Sequence, residues 1–250
     1  MIGVSKRENQ ILESLRTGES YSVSELSHKL GVSVVTVRAD YKSLEEKGMI
    51  IRAHGGAILA FHPELMERMG SRRAEKERIA KAAAELVKDG DKIMITNGTT
   101  SALVGRYLLG RRDVQIVTNS TLLLPYARVN PNMNITFVGG EFRPSAEALV
   151  GPEAIHRIDQ FHVSMTITGT DGVTLEHGLT THLVESAEIV RRMCAQSDTR
   201  VLVVDSSKFG KKGFVKILPL EDIDILITDT GLDPEVAALI EELGVEVHRV

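Results

Sequence analysis

GVSVVTVRADYKSLEEKG, residues Gly31–Gly48, has the pattern of a helix with two different faces. Ser33 can cap this helix, because its hydroxyl can accept a hydrogen bond from the first turn. One stripe of side chains recurs every three or four residues and predicts the face that packs on a core: Val34, Val37, Tyr41 and Leu44. The second face carries charge, which a helix buried on all sides would avoid.

That second face presents Val35, Arg38 and Lys42, with Thr36 in the first turn. An α-helix fits the major groove of DNA, where Arg can bond a guanine edge through two N–H groups and a small apolar side chain can meet a thymine methyl group. We therefore expect Ser33, Val35, Thr36, Arg38 and Lys42 to contact DNA.

The preceding residues predict two more helices. Leucine and isoleucine at helical spacing indicate a first helix over residues 5–17. A serine, Ser22 or Ser24, can cap a second helix, which Gly31 ends in a tight turn. The short turn before the third helix is typical of a helix-turn-helix.

The residues after Gly48 predict a wing. Residues 49–59 have the composition of two short strands that turn at Gly55 and Gly56. Arg52 and His54 lie close to that turn, so we expect them at a phosphate or in the minor groove. Together with the three helices, this hairpin makes a winged helix-turn-helix over residues 1–59.

Residues 23–59, VSELSHKLGVSVVTVRADYKSLEEKGMIIRAHGGAIL, resemble the DNA-binding module of the DeoR family of bacterial transcriptional regulators. The resemblance implies binding to double-stranded operator DNA. Family members typically carry a second Arg and a Leu in the stretch that here contains Ala39 and Tyr41. Asp40 would repel phosphate if it faced DNA, so we expect it to pair with a nearby Arg.

Composition limits the remaining possibilities. The chain has 250 residues and a formal charge of −4, so a contact with nucleic acid has to be confined to a patch. Cys194 is the one cysteine, which excludes an internal disulfide and suits the cytoplasm. No apolar stretch is long enough to span a membrane. His177 and His182 lack further ligands at metal-binding spacing, so we expect neither a metal nor a cofactor.

Beyond a linker at residues 60–73, strands and helices alternate over residues 74–250. This order predicts a doubly wound, mainly parallel α/β domain with helices on both faces of its sheet. Seven segments are predicted to be strands: 92–96, 114–118, 134–138, 163–168, 200–204, 223–227 and 245–248.

Small and polar residues follow several of these strands, where parallel sheets bind ligands. Glycine lets a backbone approach a ligand, hydroxyl and amide groups can hydrogen-bond it, and a helix N-terminus attracts an anion. Lys208 could add a point charge for a phosphate. The predicted effector-binding residues are Asn97, Gly98, Thr99, Thr100, Ser101, Thr118, Asn119, Ser120, Gly139, Gly140, Gly169, Asp171, Gly172 and Lys208.

Several of these loops resemble the effector domain of the same family, whose fold is similar to ribose-5-phosphate isomerase: NGTTSA, VTNS, VGGEFR, GTDGV, GLT and DSSKFG. The resemblance implies a repressor of a carbohydrate-utilisation operon that a phosphorylated sugar releases. Asn97 stands where the family commonly has Asp. We therefore hypothesise an effector more acidic or oxidised than a plain sugar phosphate, such as a sugar-acid phosphate.

Two expectations concern assembly and chemistry. A module this small and weakly charged favours a homodimer or homotetramer on repeated half-sites, held together by the larger domain. The alternative function is a sugar-phosphate isomerase or transferase with an N-terminal extension, which would need an acid/base set. The candidates, whose spacing specifies no reaction, are Glu141, Asp171, Glu176 and Lys208.

Overall fold

The computed structural model describes residues 4–16, 21–53 and 56–250. It divides into two compact units, Met1–Arg68 and Met69–Val250. The apolar core of the first unit and the three apolar clusters of the second share no residue within the described ranges. Each unit is therefore described by itself.

The first unit has three helices, a hairpin and most of a fourth helix. These elements are α1 (Lys6–Arg16), α2 (Val23–Leu30), α3 (Val34–Glu46), β1 (Ile50–Ala53), β2 (Gly56–Leu59) and α4 (Pro63–Gly70). The strands β1 and β2 are antiparallel, with Ala53 opposite Gly56. Gly56 thus belongs to the second strand and not to the turn, while Gly55 and His54 lie outside the described residues.

The hydrogen bonds at the start of α2 show which of the two predicted serines, Ser22 or Ser24, caps this helix. Ser22 accepts a hydrogen bond from the Glu25 N–H at 3.2 Å, and the Glu25 carboxylate accepts one from the Ser22 N–H at 2.8 Å. This reciprocal pair is a capping box, so Ser22 begins α2, and Ser24 lies one residue inside the helix. Gly31 ends α2 with a φ of 65°, the left-handed conformation that glycine adopts at low cost.

The core of this unit is built on the predicted stripe of α3, with one correction. Val37, Tyr41 and Leu44 are buried against Ile11 and other apolar residues of the same unit. Val34 is only half-buried, because it lies in the first turn next to the exposed cap. Asp40 is buried as well and receives two hydrogen bonds from the Arg7 guanidinium, at 2.6 and 2.9 Å. The expected pairing of Asp40 with an arginine is thereby confirmed.

The segment predicted as a linker, 60–73, is partly helical. It contains the whole of α4 and the first residue of the next helix. The division between the compact units follows Arg68, inside this helix. The domain limits 1–59 and 74–250 remain predictions.

The second unit alternates helices with strands. Its helices are α5 (Arg73–Leu86), α6 (Thr99–Tyr107), α7 (Leu124–Val129), α8 (Pro152–Ile158), α9 (Val184–Ala195) and α10 (Pro234–Glu242). Its strands are β3 (Lys92–Ile95), β4 (Val114–Thr118), β5 (Met133–Phe137), β6 (Glu141–Arg143), β7 (Ala148–Val150), β8 (Val163–Thr168), β9 (Gly172–Thr174), β10 (Gly178–Thr181), β11 (Ser197–Val203), β12 (Val215–Lys216), β13 (Ile225–Thr228) and β14 (Glu246–Arg249).

Seven of these strands form one sheet in the order β14-β13-β11-β8-β3-β4-β5, and every neighbouring pair is parallel. They are the seven strands that the sequence predicts. Alternate residues face opposite sides: Ile93 and Ile95 pack with α5 and α6, whereas Met94 packs with α8 and α9. The doubly wound α/β fold is therefore confirmed.

Two smaller sheets were not predicted. One is the antiparallel pair β6-β7, and the other is the three-stranded sheet β12-β10-β9. Their strands have two to four residues, too few for a period-two pattern to stand out. Throughout the described ranges, every helix falls short of the length and apolar character that membrane spanning requires.

Candidate DNA-binding face and effector site

The exposed side of α3 carries the residues predicted to read DNA. We call Val35, Arg38, Ala39 and Lys42 the groove face. Val35 is 74% exposed, and the other three are exposed too. Lys42 lies 3.9 Å from Glu46 on the next turn, a weak surface pair. Within the described ranges, nothing hydrogen-bonds or ion-pairs with the Arg38 guanidinium, so all its donors are available to a base edge or a phosphate.

Two further predicted contacts lie at the start of α3. The Ser33 hydroxyl accepts the Thr36 N–H at 3.1 Å and lies 2.8 Å from the Thr36 hydroxyl. Ser33 is exposed and Thr36 half-buried. The first role of Ser33 is thus to cap the helix, and a contact with DNA would come in addition to it.

Arg52 lies on β1 of the wing, opposite Ala57, and its side chain contacts α3. Its Nε is 3.1 Å from a Glu45 carboxylate oxygen, and its Nη2 donates to the Arg38 carbonyl at 3.4 Å. The side chain is 47% exposed, so it can still turn towards a phosphate. Arg52 is adjacent to the last residue of β1, and its contact with DNA stays a prediction, whereas His54 lies outside the described residues.

In the second unit, the loops of four adjacent strands end at one edge of the large sheet. The order β11-β8-β3-β4 places side by side the loops that carry Lys208, Asp171, Asn97 and Asn119. We call these four loops the effector loops. The strand order, which the sequence does not reveal, is what brings them together.

Asn97 and Asn119 interlock in the middle of this edge. The Asn119 side chain accepts the Asn97 N–H at 2.8 Å and donates to the Asn97 side-chain oxygen at 3.0 Å. Asn119 is fully buried and also donates to the Leu149 carbonyl at 3.2 Å. Among the described residues, the side-chain nitrogen of Asn97 has a single long contact, 3.5 Å to the Ser186 hydroxyl. Asn97 thus keeps an N–H donor for a ligand, while its oxygen is committed to Asn119.

Gly98 leads the chain into α6. Its φ of 150° is disfavoured for other residues, and an added Cβ would lie 2.7 Å from the Ser101 hydroxyl. Thr99 is half-buried and Thr100 buried in the first turn, whose N–H groups form an N-terminal anion site. The buried Ser101 hydroxyl donates to the Thr96 carbonyl at 2.9 Å and so supports the loop, and its contact with a ligand stays a prediction.

Two buried hydroxyl groups, those of Thr118 and Ser120, lie at the end of β4 and in the loop after it. Thr118 donates to the Ile95 carbonyl at 2.6 Å and accepts the Ser120 N–H at 3.0 Å, so its hydroxyl supports the loop, and its contact with a ligand stays a prediction. Ser120 is fully buried, and its hydroxyl lacks a hydrogen-bond partner among the described residues. A buried hydroxyl without a partner is uncommon and costs stability.

The predicted glycines serve the backbone in different ways. Gly139 and Gly140 are exposed and have φ values of 76° and 101°, which shape the entry to the β6-β7 hairpin. Gly172 is buried, and an added Cβ would collide with the Lys211 carbonyl, so a glycine is needed for close packing here. Gly169 is half-buried directly after β8.

Asp171 is tied to the neighbouring strand β10 and to the residue after it. One of its carboxylate oxygens accepts hydrogen bonds from the Thr181 hydroxyl at 2.7 Å and from the His182 N–H at 3.2 Å. The half-buried carboxylate therefore orders the loop. A ligand would have to share this carboxylate with the protein.

Lys208 ends a one-turn helix, Ser206–Lys208, that follows β11. The side chain is half-buried, and no described residue pairs with its ammonium group. The turn is fastened below by Asp205, which accepts the Ser207 N–H at 3.1 Å, and by Asp229, which accepts the Ser206 N–H at 2.7 Å. Lys208 is thus a cation on a well-supported turn, as a phosphate site requires.

Sequence reasoning missed Ser186 and Arg72. Ser186 reaches Asn97 from α9, 89 residues further along the chain. Arg72, in the predicted linker, contacts Ser206 and Asp229, 134 and 157 residues away. A charged residue before a helix has the pattern of a solvated surface residue, so no local signal distinguishes Arg72.

Known families match both units. Residues 7–61 match the DeoR-like helix-turn-helix domain, and residues 71–230 match the DeoR C terminal sensor domain. The chain belongs to the DeoR family of transcriptional regulators. As a DeoR protein, it is a DNA-binding transcriptional regulator, which confirms the resemblance and the class of function that the sequence indicates.

Similar DeoR regulators extend over almost the whole chain. The glycerol-3-phosphate regulon repressor of Escherichia coli is 31% identical, and the alignment covers 90% of each chain. The transcriptional repressor GlcR of Bacillus subtilis is 30% identical over 95% of this chain and 93% of its own. The regulator GlpR of Haloferax volcanii is 33% identical over 97% and 96%, respectively.

Among solved structures, the chain is similar to ribose 5-phosphate isomerase A of Methanocaldococcus jannaschii. The sequences are 22% identical, the TM-score is 0.42, and the alignment covers 56% of this chain and 55% of that one. A likeness of this extent does not decide function.

Proposed function

We propose that this DeoR protein represses a carbohydrate-utilisation operon and is released from operator DNA by a phosphorylated sugar or sugar acid. The observation that carries the proposal is the row of effector loops, where the unpaired Lys208 and the first turn of α6 offer positive charge at one edge of the sheet. The DeoR relatives named as repressors support repression of transcription. A regulator of this kind works in the cytoplasm.

On the DNA side, the groove face would lie in the major groove, with Arg38 on a guanine edge. Replacing Arg38 by Ala should cost about 1–3 kcal/mol of binding to specific DNA. Fluorescence anisotropy with the DNA upstream of the chain's own gene, compared with a scrambled duplex, measures this loss.

Arg16→Ala is the matched control, because Arg16 lies on α1 and pairs with Glu13 and Glu67 instead of facing the groove. It should leave the affinity unchanged. An equal loss for Arg38→Ala on specific and scrambled DNA would show that Arg38 touches only phosphate.

We also infer a homodimer or homotetramer. A single module reads a short half-site, and two-fold assembly on repeated half-sites supplies the missing affinity. Sedimentation of the free protein measures its oligomeric state, and sedimentation of its complex with DNA measures how many copies bind.

On the ligand side, the Asn97 N–H donor favours a ligand that offers a carbonyl or carboxylate oxygen. An aspartate at this position would instead repel an acidic group, because like charges at close range are costly. We expect Asn97→Asp to weaken binding of a phosphorylated sugar acid by about tenfold or more relative to the corresponding phosphorylated aldose.

Calorimetric titration with both ligand classes measures this preference. Asn134→Asp is the control for added charge, because Asn134 is exposed on β5. If Asn97→Asp leaves the preference unchanged, the sugar-acid hypothesis is wrong.

We propose no enzymatic activity. Three of the four acid/base candidates already have partners among the described residues. Asp171 is bonded to Thr181 and His182, Glu141 lies 3.1 Å from Arg143, and the exposed Glu176 lies 3.4 Å from Lys212. Incubation with phosphorylated sugars should therefore yield no product.

A further inference from the structure

Arg72 has an unusual backbone conformation at the beginning of the second unit. Its φ of 47° and ψ of 41° are left-handed, although it is not a glycine. This conformation is disfavoured for a residue with a side chain and persists where surrounding contacts hold it. Arg72 directly precedes α5 and follows the end of α4 by two residues. Contacts of the Arg72 side chain therefore restrain the backbone between the end of α4 and the start of α5.

Those contacts come from two buried carboxylates. Arg72 Nη2 donates to Asp229 at 3.0 Å and to the Ser206 hydroxyl at 3.1 Å. Arg72 Nε lies 3.3 Å from an Asp205 carboxylate oxygen. Asp205 and Asp229 are each only 2% exposed. Buried charges need close partners, so the guanidinium is held strongly in this place.

The same carboxylates build the turn that carries Lys208. Asp229 accepts both the N–H and the hydroxyl of Ser206, at 2.7 and 2.8 Å. Gly231 closes the space around them, since an added Cβ would lie 2.6 Å from the Ser206 hydroxyl. A movement of the Ser206–Lys208 turn therefore changes the contacts of Arg72 directly.

We propose that Arg72 transmits occupancy of the Ser206–Lys208 turn by a phosphorylated ligand to the chain that leaves α4. This inference rests on the proposed effector site. A phosphate at Lys208 brings negative charge close to Asp205 and Asp229, strengthens the attraction on Arg72 and tightens the backbone at residues 69–72. The response is an electrostatic one, and it requires the fork of donors that arginine has and lysine lacks.

Hydrogen–deuterium exchange on the full chain, with and without saturating inorganic phosphate, tests this coupling. In the wild type, phosphate should slow exchange in residues 204–210 and also in residues 63–72, by about fivefold or more in each. Arg72→Lys should keep the response in 204–210 and lose it in 63–72.

Arg73→Lys is the matched control. Arg73 is the next residue, and its guanidinium pairs with Glu77 on α5 at 2.7 Å. This variant should respond as the wild type does in both segments. A purely structural role of Arg72 would alter exchange without phosphate but would leave the phosphate response of 63–72 in place.

The outcomes separate this inference from the proposed function. If phosphate leaves 204–210 unaffected in the wild type, the effector site itself fails, and the coupling fails with it. If 204–210 responds while 63–72 does not, or if 63–72 still responds in Arg72→Lys, the coupling is overturned and the site stands. Should Arg72→Lys not fold, Ser206→Ala replaces it. That variant removes the hydroxyl contact to Arg72, keeps the backbone bond to Asp229, and should weaken the response of 63–72.

Discussion

Glu8 is an acidic residue on the buried side of α1, and it illustrates how one side chain can join distant helices. Its carboxylate accepts hydrogen bonds from Lys47 at 2.7 and 2.8 Å, and from the Ser5 N–H at 2.6 Å. Burial by itself would raise the pKa of Glu8, but these hydrogen bonds outweigh it and lower the pKa to about 2 from an ordinary 4.5. Glu8 thereby ties the start of α1 to the end of α3.

The lowered pKa of Glu8 predicts a pH-dependent stability. Because the carboxylate is favoured in the folded state, its contribution is complete above pH 4.5 and is lost as the pH falls towards 2. The contribution is roughly 3 kcal/mol at pH 7. Urea unfolding of the wild type and Glu8→Gln should therefore show a large difference at pH 7 that shrinks below pH 4.5.

Glu13→Gln is the control for this prediction. Glu13 is 67% exposed and pairs with Arg16 on the surface, so the variant should keep the pH profile of the wild type. The explanation is wrong if Glu8→Gln unfolds with the same pH dependence as the wild type.

At the residue scale, the sequence does not predict which hydroxyl groups bond to the protein itself. Ser101 and Thr118, both predicted to bind a ligand, donate to the backbone carbonyls of Thr96 and Ile95. Ser120, two residues after Thr118, has a buried hydroxyl without a hydrogen-bond partner among the described residues. All three residues are small hydroxyl residues that follow or end a strand of the same sheet, so the sequence does not separate them. The difference lies in which carbonyl happens to be within reach.

At the scale of elements, the start of α2 gives a sharp test. Ser22 forms the capping box with Glu25, whereas Ser24 is exposed inside the helix. We expect Ser22→Ala to destabilise the first unit by about 1 kcal/mol, because an unsatisfied N–H is left at the helix start.

Ser24→Ala is the matched variant, and it should change stability by less than Ser22→Ala, since alanine is the better helix former in an interior position. Urea titration of both variants measures the change in the free energy of unfolding that each substitution causes. Equal losses would mean that the cap does not operate as the structure shows.

Long, apolar elements were the ones that the sequence predicted well. The strands β4 and β8 begin and end where the pattern places them, and the others of the large sheet differ by one to three residues at their ends. The short strands β6, β7, β9, β10 and β12 were missed. Their pairing depends on neighbours elsewhere in the fold, because two to four residues carry too little periodicity of their own.

At the scale of the whole molecule, the two units have separate apolar cores. Leu44 is fully buried in the core of the first unit, and Ile167 in the large sheet of the second. Replacing either residue by Ala should cost about 2–5 kcal/mol in its own unit, because a buried cavity forms.

Native-state hydrogen exchange of both variants tests whether the units unfold separately. Leu44→Ala should speed exchange in residues 34–46 and not in 163–168, and Ile167→Ala should do the reverse. Equal acceleration of both segments by either substitution would show a single cooperative unit.

The sequence by itself determined the winged helix-turn-helix, the groove face of α3, the seven strands and the doubly wound fold. These features follow from local periodicity, caps and turn residues, which act over a few positions. Only the tertiary structure decided the row of effector loops, the interlocked Asn97 and Asn119, and the ion pairs of Arg72. They depend on the order of strands in the sheet and on partners up to 157 residues apart, and no local pattern encodes such distances.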